Sequence, residues 1–134
     1  HKGLKLRDTY KGDGLIKIAC APHAPYTVGD DTMRRIATYA NELEMAVHIH
    51  CQETAQEVAD SLKLHGCRPL QRLDYLGVLL PQTQLVHMTQ IDDEDIRLIQ
   101  DHNCHVVHCP ESNLKLASGF CPVGKLIDAG INVA

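Results

Sequence analysis

The residues best suited to chemistry in this chain are His48, His50 and Glu53, in the run His48-Ile-His50-Cys-Gln-Glu53-Thr54. An apolar stretch, Met45 to His50, reads as a buried strand and turns directly into a helix start. Side chains two apart on a strand share a face, so His48 and His50 point the same way. Glu53 follows three residues after the second histidine, where a strand-to-helix loop begins. An imidazole and a carboxylate then meet at the C-terminal mouth of a parallel strand, where α/β folds keep their active sites. The chemistry this suggests is a bound metal beside an acid that transfers protons.

Two further histidines end apolar runs. His23 lies in Ala21-Pro-His23-Ala-Pro25, where two prolines stiffen the loop and hold the side chain in a defined position. His87 lies in Leu85-Val-His-Met-Thr89. Each has a bland reading of its own: a loop histidine, satisfied core histidines at 48 and 50, a solvent-facing helix carboxylate at Glu53. His105 and His108 flank Val106-Val107, so they fall on opposite faces of a strand and read as structural. The acidic run Asp92–Asp95 reads as a helix cap with a solvated face.

Five short apolar runs carry these residues: Leu15–Cys20, Met45–His50, Gln84–Met88, Cys104–Cys109 and Ile131–Ala134. Each has the look of a strand buried on both faces, as in a parallel sheet. Helical patterns separate them. Asp31–Leu43 has Met33, Ile36, Ala37, Ala40 and Leu43 at helical spacing. Thr54-Ala-Gln-Glu57 is a capping box for a helix closing near Gly66. Leu70, Leu73 and Leu76 predict a short helix before Gly77, Asp92–Asp95 open another, and Pro122–Asp128 is the last, with Gly130 beyond it. The alternation gives an α/β class with parallel strands.

Four βα units make about half of an eight-fold barrel, which typically needs ~250 residues. A five-stranded doubly wound sheet fits the length equally well. The half-barrel is favoured because no Gly-rich phosphate loop follows a strand and because candidate site residues sit at successive strand ends. The chain begins without Met and stops within an apolar run, as a piece of something larger would.

The 134 residues are one domain's worth. Thirteen basic and seventeen acidic residues give a net charge of −4 with no basic cluster, which argues against nucleic acid or an anionic membrane as partner. No apolar run approaches the ~20 residues of a membrane-spanning helix, and no signal peptide opens the chain. Six cysteines without a C-x-x-C pair read as free thiols in a reducing cytosol rather than a disulfide framework.

Taken in order, Ala21-Pro-His-Ala-Pro-Tyr-Thr27, His48-Ile-His-x-x-Glu-Thr54, Val86-His-Met88 and Cys109-Pro-x-Ser-Asn-Leu-Lys-Leu-Ala-Ser-Gly119 resemble the amidohydrolase superfamily. The likeness is to the branch of the 5-methylthioadenosine/S-adenosylhomocysteine deaminases and their triazine-hydrolase relatives. It implies a (β/α)8 TIM barrel, with residues 1–134 forming part of one barrel domain, about strands four to eight. It also implies one divalent ion per site, zinc or another. His50 maps to a metal ligand, and Glu53 to the acid that contacts the purine and shuttles a proton. His87 maps to the residue that holds the attacking water, and His23 to a substrate contact. His48 is not assigned to the metal, because the family's His-x-His pair belongs to the first strand. That pair and the eighth-strand Asp are missing here, so the 134 residues alone are expected to bind zinc poorly and to be inactive.

The implied activity is hydrolytic deamination of an adenosine-type nucleoside, such as 5-methylthioadenosine or S-adenosylhomocysteine, to the inosine analogue and ammonia. The implied partner is that small purine nucleoside, and a homo-oligomer is left open. The alternatives are a related amidohydrolase acting on guanine or triazines, and a non-catalytic α/β fragment. The other zinc deaminase pattern, H-x-E with P-C-x-x-C, is excluded by spacing.

Overall fold

Val47 and Ile49 alternate with His48 and His50, and this segment forms strand β1 (Val47–Cys51), its apolar side chains buried and its histidines half-buried. In a computed structural model, which describes residues 2–134, β1 pairs in parallel with β2 (Thr83–His87). In turn β2 pairs in parallel with β3 (His105–Val107). Single bridges extend the sheet on both sides, Cys20 to Val47 and Val133 to Val106. Five extended segments therefore lie side by side in chain order, with no reversal. A doubly wound sheet reverses its strand order at a switch point, whereas a barrel wall does not. The fold is α/β with a parallel, singly wound sheet, part of a (β/α)8 barrel.

The helices are α1 (Lys2–Thr9), α2 (Asp30–Glu42), α3 (Ala55–His65), α4 (Pro69–Tyr75), α5 (Asp93–Asp101), α6 (Pro110–Lys115) and α7 (Val123–Asp128). Val47, Ile49, Leu85 and Val106 from the sheet share one core with Met33, Ala37, Leu70, Leu73, Ile99 and Leu126 from the helices. That core fixes the sheet's position and leaves His48 and His50 on its other face. The Thr54 hydroxyl caps α3 by accepting from the Glu57 N–H at 3.1 Å, and Gly66 ends it at a φ of 72°. None of the described helices is long and apolar enough to cross a membrane.

Three expectations need correction. Leu15–Cys20 is not a strand buried on both faces: Leu15 is 97% exposed, and only Cys20 bridges to β1. Regular pairing would continue through the N–H of residue 22, but Pro22 has none, and His50 N–H bonds the carbonyl of His23 instead. Continued in parallel register, the segment before Cys20 would meet residues 42–46, which are the end of α2 and its exit turn rather than a strand. In Ile131–Ala134 the regular ladder shrinks to the one bridge at Val133. The acidic run is not wholly solvated: Asp92 caps α5, but Asp95 is fully buried against Arg68. Helices α1 and α6 were not anticipated, although Pro110 followed by Glu111 is a helix-start signal. All six cysteines are free thiols.

Candidate active site

His48 and His50 occupy the face of β1 opposite the helices. The His48 ring bonds Gln84 Oε1 through Nδ1 at 2.7 Å, so it is engaged within the sheet. His50 behaves differently. Its Nδ1–H donates to the carbonyl oxygen of His23 across 2.7 Å, which leaves Nε2 as the nitrogen available to a ligand. That is how metal-binding imidazoles are usually held, one nitrogen tied to a carbonyl and the other free.

His87 reaches His50 by a strained backbone. In the parallel register His87 pairs with Cys51, and Cys51 belongs to the buried helical core. Simple alternation would turn His87 toward the helices with it. Instead His87 has φ at 79° and Met88 at 46°, a region that residues with a side chain seldom adopt. The turn re-aims the ring, which stacks on that of His50 with centroids 5.4 Å apart and planes 24° from parallel. His23 closes on the other side, its ring 5.1 Å from that of His50, with Nδ1 3.0 Å from the Thr27 hydroxyl.

Glu53 completes the group. Its Oε1 lies 3.5 Å from His87 Nε2, and its side chain is largely withdrawn from solvent. Gln52, with φ at 50°, makes the corner between β1 and Glu53. The Glu57 carboxylate accepts the backbone N–H groups of Gln52 and Glu53, both at 2.9 Å. Burial raises the Glu57 carboxyl above its ordinary value, with these backbone donors acting against the shift. Only half of the expected capping box forms, with Thr54 accepting from Glu57 N–H, because the Glu57 carboxylate is spent on anchoring the acid-bearing corner. The Gln52 side chain locks the same corner through Gln90 O, Asp95 Oδ2 and Leu70 N.

All four expected site residues, His23, His50, Glu53 and His87, thus meet at the C-terminal ends of successive extended segments. His105 and His108 take no part in this cluster. A cavity of about 490 Å³ opens beside Glu53, lined also by Tyr26, Thr27, Gln56 and Arg72. None of His23, His50 and His87 lines it, and Glu53 is the residue that joins the cavity to the histidine cluster. Among the described residues no group of three His, Cys, Asp or Glu side chains is arranged to hold a metal ion by itself. The donor chemistry of His50 nonetheless suits a zinc-type ion that draws its other ligands from elsewhere.

Sequence reasoning gave no role to Asn113, whose amide oxygen lies 2.8 Å from His87 Nδ1. The pair is separated by 26 residues, and the only signal for Asn113 is its place in the motif run Cys109–Gly119, which does not indicate His87 as its partner.

Comparison with known proteins gives the chain's family. A 5-methylthioadenosine/S-adenosylhomocysteine deaminase of Saccharophagus degradans is 61% identical over 132 residues, 98% of this chain and 30% of that protein. A solved adenosine deaminase of Xanthomonas campestris with bound zinc is 51% identical, with a TM-score of 0.96, covering 99% of this chain and 30% of its own. A guanine deaminase of C. acetobutylicum with bound guanine superimposes with a TM-score of 0.91 at 27% identity, covering 98% and 32%. The chain therefore spans about 30% of the length of the relatives it matches. The model of the amidohydrolase family matches residues 3–134, and the chain belongs to the amidohydrolase family.

Proposed function

We propose that this chain supplies the proton-transfer half of the active site of a metal-dependent deaminase. The observation that carries the reading is the Glu53 carboxylate 3.5 Å from His87 Nε2, with the His50 ring stacked beside it. The 61% identity to a 5-methylthioadenosine/S-adenosylhomocysteine deaminase supports adenosine-type nucleosides as substrates. Residues 1–134 are read as part of one barrel domain in a full-length protein whose other strands bring the remaining metal ligands. The short coverage of the relatives supports this, and the isolated 134 residues are expected to be inactive. Six free thiols fit a cytosolic setting.

His50 Nε2 is the ligand this chain offers to zinc. Zinc held there would supply a water acidified to a pKa of ~7. His87 Nε2 is placed to orient such a water and to take up a proton from it. Attack of the water's oxygen at C6 of an adenine ring would need one of the water's protons delivered to N1 and the other to the departing amine. Glu53 is placed to carry the first to N1 and then, with His87 releasing the second, to pass that second proton to the amine. The products are the inosine analogue and ammonia. One carboxylate must reach both nitrogens, which suits a side chain on a loop fastened at its N–H and its carbonyl. His23 hydrogen-bonds the substrate.

The test is zinc content and the ultraviolet change from adenosine-type substrate to inosine-type product, measured on the full-length protein. Stoichiometric zinc with turnover of methylthioadenosine or S-adenosylhomocysteine is expected. Glu53→Gln should keep zinc and lose about 10²- to 10⁴-fold in kcat, and His50→Ala should lose zinc. A near wild-type rate in Glu53→Gln would remove the proton shuttle. Zinc with turnover of guanine or triazines instead would move the substrate class, a second reading favoured by the likeness to the guanine deaminase. Absence of zinc would sink the metal site.

A further inference from the structure

We propose that Asn113 is a positioning residue for His87: its amide oxygen holds the imidazole in the Nδ1–H tautomer and leaves Nε2 free to take up a proton. The proposal rests on the reading of His87 given above and adds a residue to it.

An amide oxygen only accepts, so a bond of 2.8 Å from Asn113 Oδ1 to His87 Nδ1 requires the hydrogen on Nδ1. The other ring nitrogen lies 3.5 Å from Glu53 Oε1, beyond a good hydrogen bond, so no proton is shared there. Both partners are buried, Asn113 at 1% exposure. Within a buried pair, the group bonded to one nitrogen of a neutral imidazole decides which nitrogen keeps its lone pair. The amide is used only through its oxygen, for Asn113 Nδ2 is buried without an acceptor. An orphaned donor of this kind is uncommon and fits a group kept for more than packing.

The backbone explains why Asn113 is held so firmly. Its N–H bonds Cys109 O at 3.0 Å in the first turn of α6, and its carbonyl accepts the Ser118 N–H at 3.0 Å. The Ser118 carbonyl then accepts from Gln90 Nε2 at 2.7 Å and lies 3.0 Å from the Thr89 hydroxyl oxygen. The segment carrying Asn113 is thus bolted to the residues that directly follow the strained turn at His87. Gly119 permits the approach, because a Cβ there would fall 2.7 Å from Gln90 Nε2.

The experiment uses the full-length protein labelled with ¹⁵N-histidine. Long-range ¹H–¹⁵N spectra report the His87 tautomer without substrate, and steady-state kinetics are recorded alongside. Wild type is expected to show Nδ1–H. Asn113→Leu should lose that preference and about 10²-fold in kcat with little change in KM. Asn113→Asp keeps an acceptor oxygen and should retain the tautomer and most of the turnover. Nε2–H in wild type, or an unchanged tautomer and kcat in Asn113→Leu, overturns the proposal. Should Asn113→Leu not fold, wild type and Asn113→Asp decide: Nδ1–H in both supports it, and Nε2–H in wild type sinks it. His87→Asn separates the two readings. Lost turnover there with none lost in Asn113→Leu sinks the Asn113 role alone, whereas full turnover in His87→Asn sinks the reading of His87.

Discussion

The Thr89 hydroxyl donates to the carbonyl oxygen of Glu53 across 2.6 Å, tying the backbone of the acid to the chain that leaves β2 two residues after His87. The Thr89 hydroxyl oxygen also lies 3.0 Å from the Ser118 carbonyl. Three loops at the mouth of the sheet therefore meet on one buried side chain. The distance from Glu53 to His87 is set by this junction as well as by the strands.

Thr89→Val keeps the shape but removes the hydroxyl from that junction, leaving the Glu53 carbonyl without this donor. A loss of about 1–3 kcal/mol is expected, with a fall in kcat as the Glu53 corner loosens. Urea midpoints and turnover of the full-length variant check this. Unchanged stability would mean that the junction adds nothing to the anchoring of Glu53.

Asp95 is fully buried and bonds Arg68 through Nη2 at 2.7 Å and Nε at 3.0 Å. Arg68→Met would strand that carboxylate, at a cost of about 3–5 kcal/mol. Asp95→Asn should cost less, because Arg68 is partly exposed and water can reach it. Chemical denaturation should rank the two variants in that order; the reverse order would mean that the ion pair is not what stabilises the α4–α5 contact.

The raised Glu57 carboxyl fixes the sign of a pH effect. Below the ordinary value of 4.5 the group is protonated both folded and unfolded and carries no penalty. As pH rises from there through the raised folded value, only the unfolded chain gives up its proton freely, so stability falls. Wild type should therefore compare more favourably with Glu57→Gln at pH 4 than at pH 7. Parallel urea titrations at the two pH values test it, and a gap that widens in favour of wild type toward neutrality would contradict the burial of this group.

Burial pushes the Cys104 thiol up to about 12, that of Cys121 up to about 11, and that of Cys51 well above the ordinary range. At pH 8 Cys104 is thiolate in only about one molecule in 10⁴. Alkylation of the folded full-length protein followed by peptide mass spectrometry should leave all three unmodified until denaturant is added. Rapid labelling of Cys104 would show that the core around β3 opens.

What the sequence determined by itself was whatever depends on near neighbours. Apolar runs located β1 to β3, helical spacing located α2, and Thr54 with Gly66 bounded α3, because periodicity and capping act within a few residues. His50 and Glu53 were legible as a pair for the same reason, three positions apart at one strand end. Pro22 could have warned that Leu15–Cys20 would not continue a regular ladder, since a missing N–H is written in the residue type.

The tertiary structure alone decided matters that join distant positions. Alternation predicts the wrong face for His87, and only the positive φ at its strand end, held by surrounding loops, turns it to His50. Asp95 has the look of one more solvated acid until Arg68 arrives from 27 residues away to compensate its charge. Asn113 becomes part of the site only because α6 folds back over the end of β2. Burial and pairing across such separations are set by packing, and no spacing along the chain encodes them.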